Sequence, residues 1–408
     1  MFFIGRTRYS QLLPETNSWH LSVGVKSIEA YRERLYDSAR LKIREKLFTE
    51  LTLPSLDAAR QAAGIDLTHV VSYSESLPDA FKTGLEEAAQ KFPFVVLDEQ
   101  PDGHWGTSLD AIARQHVGDG EAFGRYRIDD DDVVAKSYFT TVSRYVSPEF
   151  AGMVVSLPLG VEAIYHEGKV TFPRISHWPM YSLGLLDVCL FQGDDELVQP
   201  PSGAHNMADR RGPVILDSQS VSYVRLNHVN QDSGLRTGNA ASLSDIMHSL
   251  SAFPPLTELE EFNEQFPTTA SLLERETWVE VNSGKQRVVL PKKIKLPTPM
   301  QEVHVKIEHT FPRWAREKQA VVSFDLCDIE GGSVPLRRAM SGIGNSRWKQ
   351  IGHYCYLNTK PGRAVTSLDI LLPEDVRLHG FKLIPFGRGG VPFSVDGVWI
   401  STENSETS

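Results

Sequence analysis

The sequence is poor in cysteine and has no long apolar run. Its three cysteines, Cys189, Cys327 and Cys355, are too far apart for a metal-binding motif or a disulfide framework. We therefore expect a reducing, cytoplasmic setting. No stretch approaches the roughly 20 consecutive apolar residues that span a membrane, so any membrane association is expected to be peripheral. The apolar run at residues 1–4 is very short and is closely followed by Arg6. This pattern predicts a buried first strand rather than a signal peptide.

Long basic runs, a phosphate-binding P-loop and internal repeats are also absent from the sequence. The net charge of −10 argues against nucleic acid as the main partner. Of the 408 residues, 41% are apolar and 23% are charged, which is typical of a soluble globular chain with room for two domains.

Strand and helix patterns alternate through the first 150 residues. Short apolar runs predict strands, and apolar residues at helical spacing predict helices between them. The predicted strands are residues 2–4, 68–73, 94–97 and 123–128. Helices are predicted in the helix-rich region 31–62, where Pro54 interrupts the pattern before a second helix at 56–63, and at residues 78–90, 109–116 and 132–145. This order predicts an α/β domain with a largely parallel sheet, whose ligands bind at the carboxyl ends of the strands. A polar loop is expected at residues 5–9, directly after the first strand.

The second half of the sequence is mostly β in character. Gly168 marks a hairpin turn between two predicted strands, and a mostly helical, acidic segment follows near residue 256. Short strands between glycine- and proline-containing turns then predict a β-sandwich or jelly roll. The predicted domains are residues 1–250, a helical connector at 251–275, and an all-β domain at 276–408.

Four consecutive aspartates, Asp129 to Asp132, follow the strand predicted at residues 123–128. Clustered carboxylates raise one another's pKa unless a cation or hydrogen-bond donors offset their charge. Hard oxygen ligands at a strand end suit Mg²⁺ or Mn²⁺ carrying a phosphorylated substrate. The alternative is an acidic turn in which Asp132 caps the next helix and the other carboxylates are solvated.

Several stretches, taken together, resemble the putative rhamnosyltransferase family of bacterial GT-A-type glycosyltransferases. They occur in the expected order and cover roughly residues 1–240. The stretches are Arg6-Thr7-Arg8-Tyr9, the run LTLPSL at 51–56, residues 68–74 with Leu77-Pro78, the run RIDDDD at 127–132, and the run RLNHVN at 225–230. The resemblance implies a GT-A-like nucleotide-sugar-binding domain, and it does not account for the β-rich C-terminal part.

The resemblance also implies roles for individual residues. Asp129 is expected to face the donor's ribose or the waters of a metal ion, and Asp131 to bind Mn²⁺ or Mg²⁺ as the last aspartate of the DxD motif. His228 is expected to contact the metal or the diphosphate. We expect Arg6 and Arg8 to bind the donor's phosphates or base region, because arginine pairs well with phosphate.

Arg127 has two possible roles, either binding the donor or balancing the charge of the aspartates that follow it. An inverting transferase also needs a general base for the proton of the acceptor hydroxyl. Asp209 and Asp195 are the candidates, and a retaining reaction would need neither of them. The sequence leaves the choice between inversion and retention open.

The predicted function is a metal-dependent glycosyltransferase that moves a hexosyl or rhamnosyl group from a nucleotide-diphosphate sugar to a saccharide hydroxyl. The biological setting implied by the resemblance is synthesis of a bacterial surface polysaccharide or other glycan. Two alternatives remain open. One is a non-catalytic carbohydrate-binding protein on a degenerate transferase scaffold, and the other is a different phosphate-handling metalloenzyme, such as a nucleotidyltransferase or phosphohydrolase.

Five aromatic residues of the C-terminal part are candidates for contacts with sugars. Aromatic faces can stack on sugar rings, although such residues more often fill a sandwich core. The residues in question are Trp314, Trp348, Tyr354, Tyr356 and Trp399. The all-β domain is therefore a candidate for carbohydrate binding or for assembly.

Overall fold

The computed structural model describes residues 1–13, 27–193, 196–229, 243–274, 277–386 and 390–402. The chain divides into two compact units. Unit 1 comprises residues 1–240 and 253–273, and unit 2 comprises residues 241–252 and 274–408. Most of the segment predicted as a helical connector, residues 253–273, thus belongs to unit 1.

The strands and helices are numbered here in chain order. The strands are β1 (Phe2–Arg8), β2 (Asp66–Ser74), β3 (Val95–Gln100), β4 (Ala122–Arg127), β5 (Asp132–Val134), β6 (Val154–Ser156), β7 (Leu159–His166), β8 (Lys169–His177), β9 (Leu185–Phe191), β10 (Leu197–Val198), β11 (Val214–Leu216), β12 (Tyr223–Asn227), β13 (Thr277–Asn282), β14 (Gln286–Val288), β15 (Lys292–Met300), β16 (Glu302–Phe311), β17 (Ala320–Asp328), β18 (Gly344–Asn345), β19 (His353–Tyr356), β20 (Gly362–Leu371), β21 (Val376–Pro385) and β22 (Phe393–Thr402). The helices are α1 (Ile28–Leu35), α2 (Ser38–Leu47), α3 (Leu53–Ala63), α4 (Asp79–Lys91), α5 (Leu109–Ala113), α6 (Tyr138–Val142), α7 (Leu243–Leu250), α8 (Leu259–Gln265) and α9 (Pro267–Ala270).

The main sheet of unit 1 is mixed, with the strand order β11-β6-β9-β4-β1-β2-β3. The four strands β4, β1, β2 and β3 run parallel, as the alternation of strand and helix predicted, whereas β9 is antiparallel to β4 and β6. Phe3 and Ile4 of the central strand β1 are fully buried. Two-sided burial explains why that strand begins as a continuous apolar run.

Two expected boundaries are wrong. Arg6 and Arg8 belong to β1 rather than to a polar loop, because their backbone pairs with β2, and that of Arg6 also with β4. Asp132 does not cap a helix: it begins β5, and the helix expected from residue 132 begins only at Tyr138. The buried, β-branched Val133 and Val134 pair with β12 instead, in a second sheet of order β5-β12-β7-β8.

The hairpin turn predicted at Gly168 is confirmed. Glu167 and Gly168 connect β7 to β8, and His166 pairs with Lys169 across the turn. Both turn residues have positive φ angles, 49° and 83°. A two-residue turn of this kind requires such angles at both positions, and glycine adopts them without steric cost.

His69 makes the stability of unit 1 sensitive to acid. It is fully buried in β2, where its ring nitrogens lie 3.0 Å from Thr7 Oγ1 and 3.1 Å from the Tyr126 hydroxyl. Burial lowers the pKa of His69 from 6.5 to about 3. The unfolded chain therefore takes up the proton first as pH falls, and stability is lost as pH drops from 6.5 towards 3.

We expect the free energy of unfolding to fall by about 2 kcal/mol less between pH 7 and pH 5 in His69→Gln than in the wild type. Urea unfolding of both proteins at the two pH values measures this difference. The half-exposed His166 offers the control variant His166→Gln, which is expected to follow the wild type. Equal acid sensitivity of His69→Gln and the wild type would contradict the expectation.

Unit 2 contains two antiparallel sheets. One has the order β13-β22-β16-β20, with β14 beside β22, and the other has the order β15-β21-β17-β19-β18. Apolar residues of both sheets form one buried cluster, which includes Val305, Ile307, Val322, Phe381 and Val398. Across the described residues of both units, no helix has the length and apolar composition needed to cross a membrane.

Candidate functional site

A cavity of about 870 Å³ lies at the carboxyl ends of β1 and β4 in unit 1. Arg6 and Arg8 reach it from β1, and Arg127 reaches it from the end of β4. Asp129 and Asp131 follow β4 and also line the cavity. The parallel register of β1 and β4 thus brings together residues that lie more than 100 positions apart in the sequence. This is the edge of the sheet at which open α/β sheets bind ligands.

Positive charge predominates among the residues that line the cavity. Seven arginines and four aspartates line it, which leaves an excess of three formal positive charges. The arginines are Arg6, Arg8, Arg44, Arg125, Arg127, Arg211 and Arg225, and the aspartates are Asp129, Asp131, Asp132 and Asp187. Such a lining favours an anionic ligand, and guanidinium groups match the geometry of phosphate oxygens.

Asp130 forms a buried ion pair with Arg44 of α2. Its carboxylate is fully buried, and it accepts hydrogen bonds from Arg44 Nε at 2.9 Å and from Arg44 Nη2. Complete burial acts to raise the pKa of Asp130, and the Arg44 guanidinium acts in the opposite direction. The pair holds the second aspartate of the run away from the cavity lining.

Asp131 is held in place by two partners. Arg44 Nη1 lies 3.5 Å from Asp131 Oδ2, and His228 Nε2 lies 3.2 Å from the same oxygen. Burial acts to raise the pKa of Asp131, but Arg44 and His228 together hold it below its ordinary value. The carboxylate is therefore ionised at neutral pH. Both contacts end on Oδ2, so His228 and Arg44 fix the orientation of the carboxylate.

Asp132 is the last aspartate of the run, and it pairs with Arg225 in the antiparallel register of β5 and β12. Burial raises the pKa of Asp132 well above its ordinary value, and the neighbouring Asp131 acts in the same direction. Arg225 Nη1 lies 3.7 Å from Glu162 Oε2, and its guanidinium stacks over the Tyr181 ring at 5.6 Å. Arg225 thus carries positive charge to the cavity wall between buried carboxylates.

Arg8 and Trp105 form a mixed cationic and aromatic wall. The Arg8 guanidinium lies over the Trp105 ring, 5.6 Å from its centroid, and 58% of Trp105 is exposed. Burial, with Arg127 as the next contributor, lowers the pKa of Arg8 to about 10. An anion bound between Arg8 and Arg127 would relieve this repulsion. Trp105 comes from the segment between β3 and α5, in which no local motif indicates a functional role.

The remaining predicted residues are placed differently. Asp129 is half-exposed, and its Oδ1 lies 3.9 Å from Arg127 Nε. His228 contacts Asp131 and does not line the cavity. Asp209 lies exposed on the 3₁₀ helix His205–Arg210, and it does not line the cavity either. Asp195 lies outside the described residues.

The lining suits a divalent cation that shares its ligands with a substrate. Among the described residues, no group of three or more His, Cys, Asp or Glu side chains is arranged to hold a metal ion. Mg²⁺ is usually held by one or two carboxylates together with substrate phosphates. Asp131 and the accessible Asp129 are the two carboxylates of the lining that could hold such an ion.

Two further acidic and basic residues of the cavity were missed by the sequence analysis. Asp187 of β9 accepts a hydrogen bond from Arg125 Nη2 at 2.9 Å, and Arg125 Nη1 also donates to Asp110 at 2.7 Å. Asp187 and Arg125 become neighbours only because β9 pairs antiparallel with β4. No local motif marks that pairing, so the sequence offered no signal for it.

Comparison with known proteins gives a family match and distant structural neighbours. The family model described as "Putative rhamnosyl transferase" matches residues 3–240. No curated protein sequence matches the chain. Among solved structures, S. aureus TarS 1–349 in complex with UDP-GlcNAc has a TM-score of 0.30 and 11% identity, over 66% of this chain and 71% of that chain. Longer S. aureus TarS has a TM-score of 0.27 and 8% identity, over 100% of this chain and 86% of that chain.

Proposed function

The chain belongs to the family described as "Putative rhamnosyl transferase", and from that premise we propose that it transfers a sugar from a nucleotide-diphosphate sugar to a saccharide hydroxyl. The protein is a glycosyltransferase. The proposed reaction serves the synthesis of a surface polysaccharide or another glycan. Unit 1 is proposed to have a GT-A arrangement, and the two sheets of unit 2 a sandwich arrangement.

The cationic cavity at the carboxyl ends of β1 and β4 carries this proposal. A nucleotide-diphosphate sugar brings negative charge on its diphosphate, and the leaving nucleoside diphosphate gains more as the sugar–phosphate bond breaks. Arginines fixed in the wall are in position to stabilise that developing charge without reorganisation. Arg6, Arg8 and Arg127 surround the point where β1 and β4 end, so we assign the diphosphate to them.

We propose that Asp129 and Asp131 hold a divalent cation, Mn²⁺ or Mg²⁺, together with the diphosphate. When bound, the cation would offset negative charge on the leaving group. Arg44 keeps Asp131 ionised and oriented, and His228 contacts the same carboxylate oxygen. A direct contact between His228 and the metal stays a prediction, whereas its contact with Asp131 assigns it a positioning role.

A general base for the acceptor hydroxyl is needed only if the reaction inverts the sugar's configuration. Asp209 and Asp195 stay predictions for that role. Asp187 joins them as a candidate because it lines the cavity, where Arg125 binds its carboxylate. Loss of transfer with retained donor binding in Asp187→Asn would support a role for Asp187 towards the acceptor.

Trp105 is proposed to stack on the nucleobase of the donor. Stacking between a base and an aromatic side chain is worth about 1–3 kcal/mol, so we expect Trp105→Ala to weaken donor binding by about tenfold. The matched control is Trp178→Ala, since Trp178 is also exposed but packs on Phe253 outside the cavity lining. Calorimetry with the donor tests both variants. Equal donor affinity of Trp105→Ala and the wild type would show that the nucleobase does not stack on Trp105.

Calorimetric titration of the wild type with UDP-, GDP- and dTDP-sugars, with and without Mn²⁺, tests the proposed function. Tight, Mn²⁺-stimulated binding of one donor would support it. Binding of none of them, together with binding of free saccharides, would favour the carbohydrate-binding alternative. Binding of a nucleoside triphosphate in preference to every nucleotide sugar would favour another phosphate-handling enzyme.

A further inference from the structure

Four aromatic rings form a connected row on unit 2. Tyr354 and Tyr356 have ring centroids 5.3 Å apart, Tyr356 and Phe386 6.3 Å apart, and Phe386 and Trp348 6.4 Å apart. We call these four residues the aromatic row. Phe386 is tied to the sheet by its backbone N–H, which donates to the carbonyl of Gln319 at 2.7 Å. The row therefore has a fixed position next to strands β17 and β19.

The aromatic row lies on the outer face of its sheet rather than in the core. Tyr354 is opposite Ser323 in the register of β19 and β17, whereas the adjacent Val322 belongs to the buried apolar cluster. Side chains alternate between the two faces of a strand, so Tyr354 and Tyr356 share the face opposite to that cluster. Trp348 is 68% exposed and Tyr356 is 38% exposed. A core-filling role does not explain rings placed in this way.

The surroundings of the aromatic row are polar and positively charged. Lys382 pairs with Ser323 in the register of β21 and β17, which places it on the outer face, with β17 between it and Tyr354. Lys318 Nζ lies 5.7 Å from the centroid of the Tyr356 ring. Arg347 and Lys349, both exposed, flank Trp348 in the sequence. The patch thus combines ring faces, hydroxyl groups and ammonium or guanidinium groups.

We propose that the aromatic row binds an acidic saccharide chain. The rings offer apolar faces for the C–H faces of sugar rings, and the hydroxyl of the exposed Tyr356 can hydrogen-bond a sugar hydroxyl. Lys318 and Lys382 complement carboxylate groups on the saccharide. Charge complementarity selects an acidic saccharide over a neutral one, and the hydroxyls within the patch favour a sugar over a bilayer or a second copy of this chain. The proposal is independent of the reaction assigned to unit 1.

Oligogalacturonate is the probe, titrated into the full-length protein while tryptophan fluorescence and heat are recorded. We expect the wild type to bind it, and to bind a neutral malto-oligosaccharide of equal length at least about tenfold more weakly. Trp348→Ala and Tyr356→Ala are each expected to weaken binding by about tenfold, because each removes a ring face on which a sugar ring can pack. Because Trp348 is exposed, its variant is expected to fold like the wild type, and thermal unfolding checks this directly.

Trp314→Ala is the matched control, because Trp314 is 64% exposed and no ring contact among the described residues links it to the aromatic row. It is expected to bind the probe like the wild type. Polyglutamate tests charge alone, anionic phospholipid vesicles test a membrane surface, and sedimentation tests self-association. The proposal would be overturned if the wild type did not bind oligogalacturonate, or if it bound polyglutamate equally well. It would also be overturned if Trp348→Ala weakened only vesicle binding or self-association. Donor binding by unit 1 is expected to persist in every variant.

Discussion

Replacing Arg44 with alanine is expected to lower the free energy of unfolding by about 3–5 kcal/mol. The substitution leaves the fully buried Asp130 carboxylate without the guanidinium that binds both of its oxygens. An uncompensated buried charge is far more costly than the loss of a surface ion pair. Urea unfolding followed by circular dichroism measures the change.

Two comparisons make the Arg44 prediction specific. Arg32→Ala breaks an ion pair with Asp102 whose arginine is 47% exposed, and it should cost less than about 1 kcal/mol. The double variant Arg44→Ala, Asp130→Ala should recover part of the loss, because it removes the buried charge as well. Arg44→Lys should recover little, since lysine cannot bind both carboxylate oxygens as arginine does. A loss below about 1 kcal/mol in Arg44→Ala would contradict the assigned role.

Sugar transfer by Asp131→Asn is expected to be at least about a hundredfold slower than by the wild type. Asparagine keeps the size of the side chain but removes the negative charge that Arg44 and His228 hold in place at the cavity. Loss of one preorganised group that acts on developing charge typically costs a factor of about 100–1,000 in rate. The release of nucleoside diphosphate from the donor identified by calorimetry measures the effect.

The control for Asp131→Asn is Asp119→Asn. Asp119 is 53% exposed, forms an ion pair with Arg114, and does not line the cavity. Its rate is expected to equal that of the wild type. Replacing His228 with glutamine should reduce the rate less than Asp131→Asn does, because Arg44 still contacts Asp131. A wild-type transfer rate in Asp131→Asn would show that this carboxylate has no role in the reaction.

The sequence predicted the location of the site better than its internal contacts. Strand-end placement of the Arg6–Arg8 and Asp129–Asp132 segments depends on local apolar runs and on the general rule that parallel strands end at one edge. That rule needs no knowledge of side-chain partners. The resemblance to the family, based on the same segments, is confirmed by the family match over residues 3–240.

The burial and the partners of the four aspartates could not be predicted from local sequence patterns. Asp130 and Asp132 are buried and Asp129 is half-exposed, although the four residues are identical and adjacent. Their differences arise from Arg44 on α2 and Arg225 on β12, which are distant in the sequence. One signal was present, since Arg40, Arg44 and Phe48 recur at intervals of four and all three are buried. Arginines on the apolar stripe of a helix indicate buried partners.

The incorrect helix boundary at Asp132 has a physical cause. Val133 and Val134 can pair with β12 only after unit 1 has brought residues 132–134 and 223–225 together. Tertiary pairing of this kind overrides the local tendency of an aspartate to begin a helix. The sequence also gave no indication of Trp105 or Asp187, because both reach the cavity through the arrangement of whole strands and loops.

Calorimetric titration with the selected nucleotide sugar, for the wild type and Asp131→Asn in the presence and absence of Mn²⁺, tests the central claim most directly. The claim is that the cationic cavity of unit 1 binds the donor's diphosphate together with a cation held by Asp129 and Asp131. We expect Mn²⁺ to strengthen donor binding at least about tenfold in the wild type and to have no effect in Asp131→Asn. Equal Mn²⁺-dependent binding by both proteins would contradict the account.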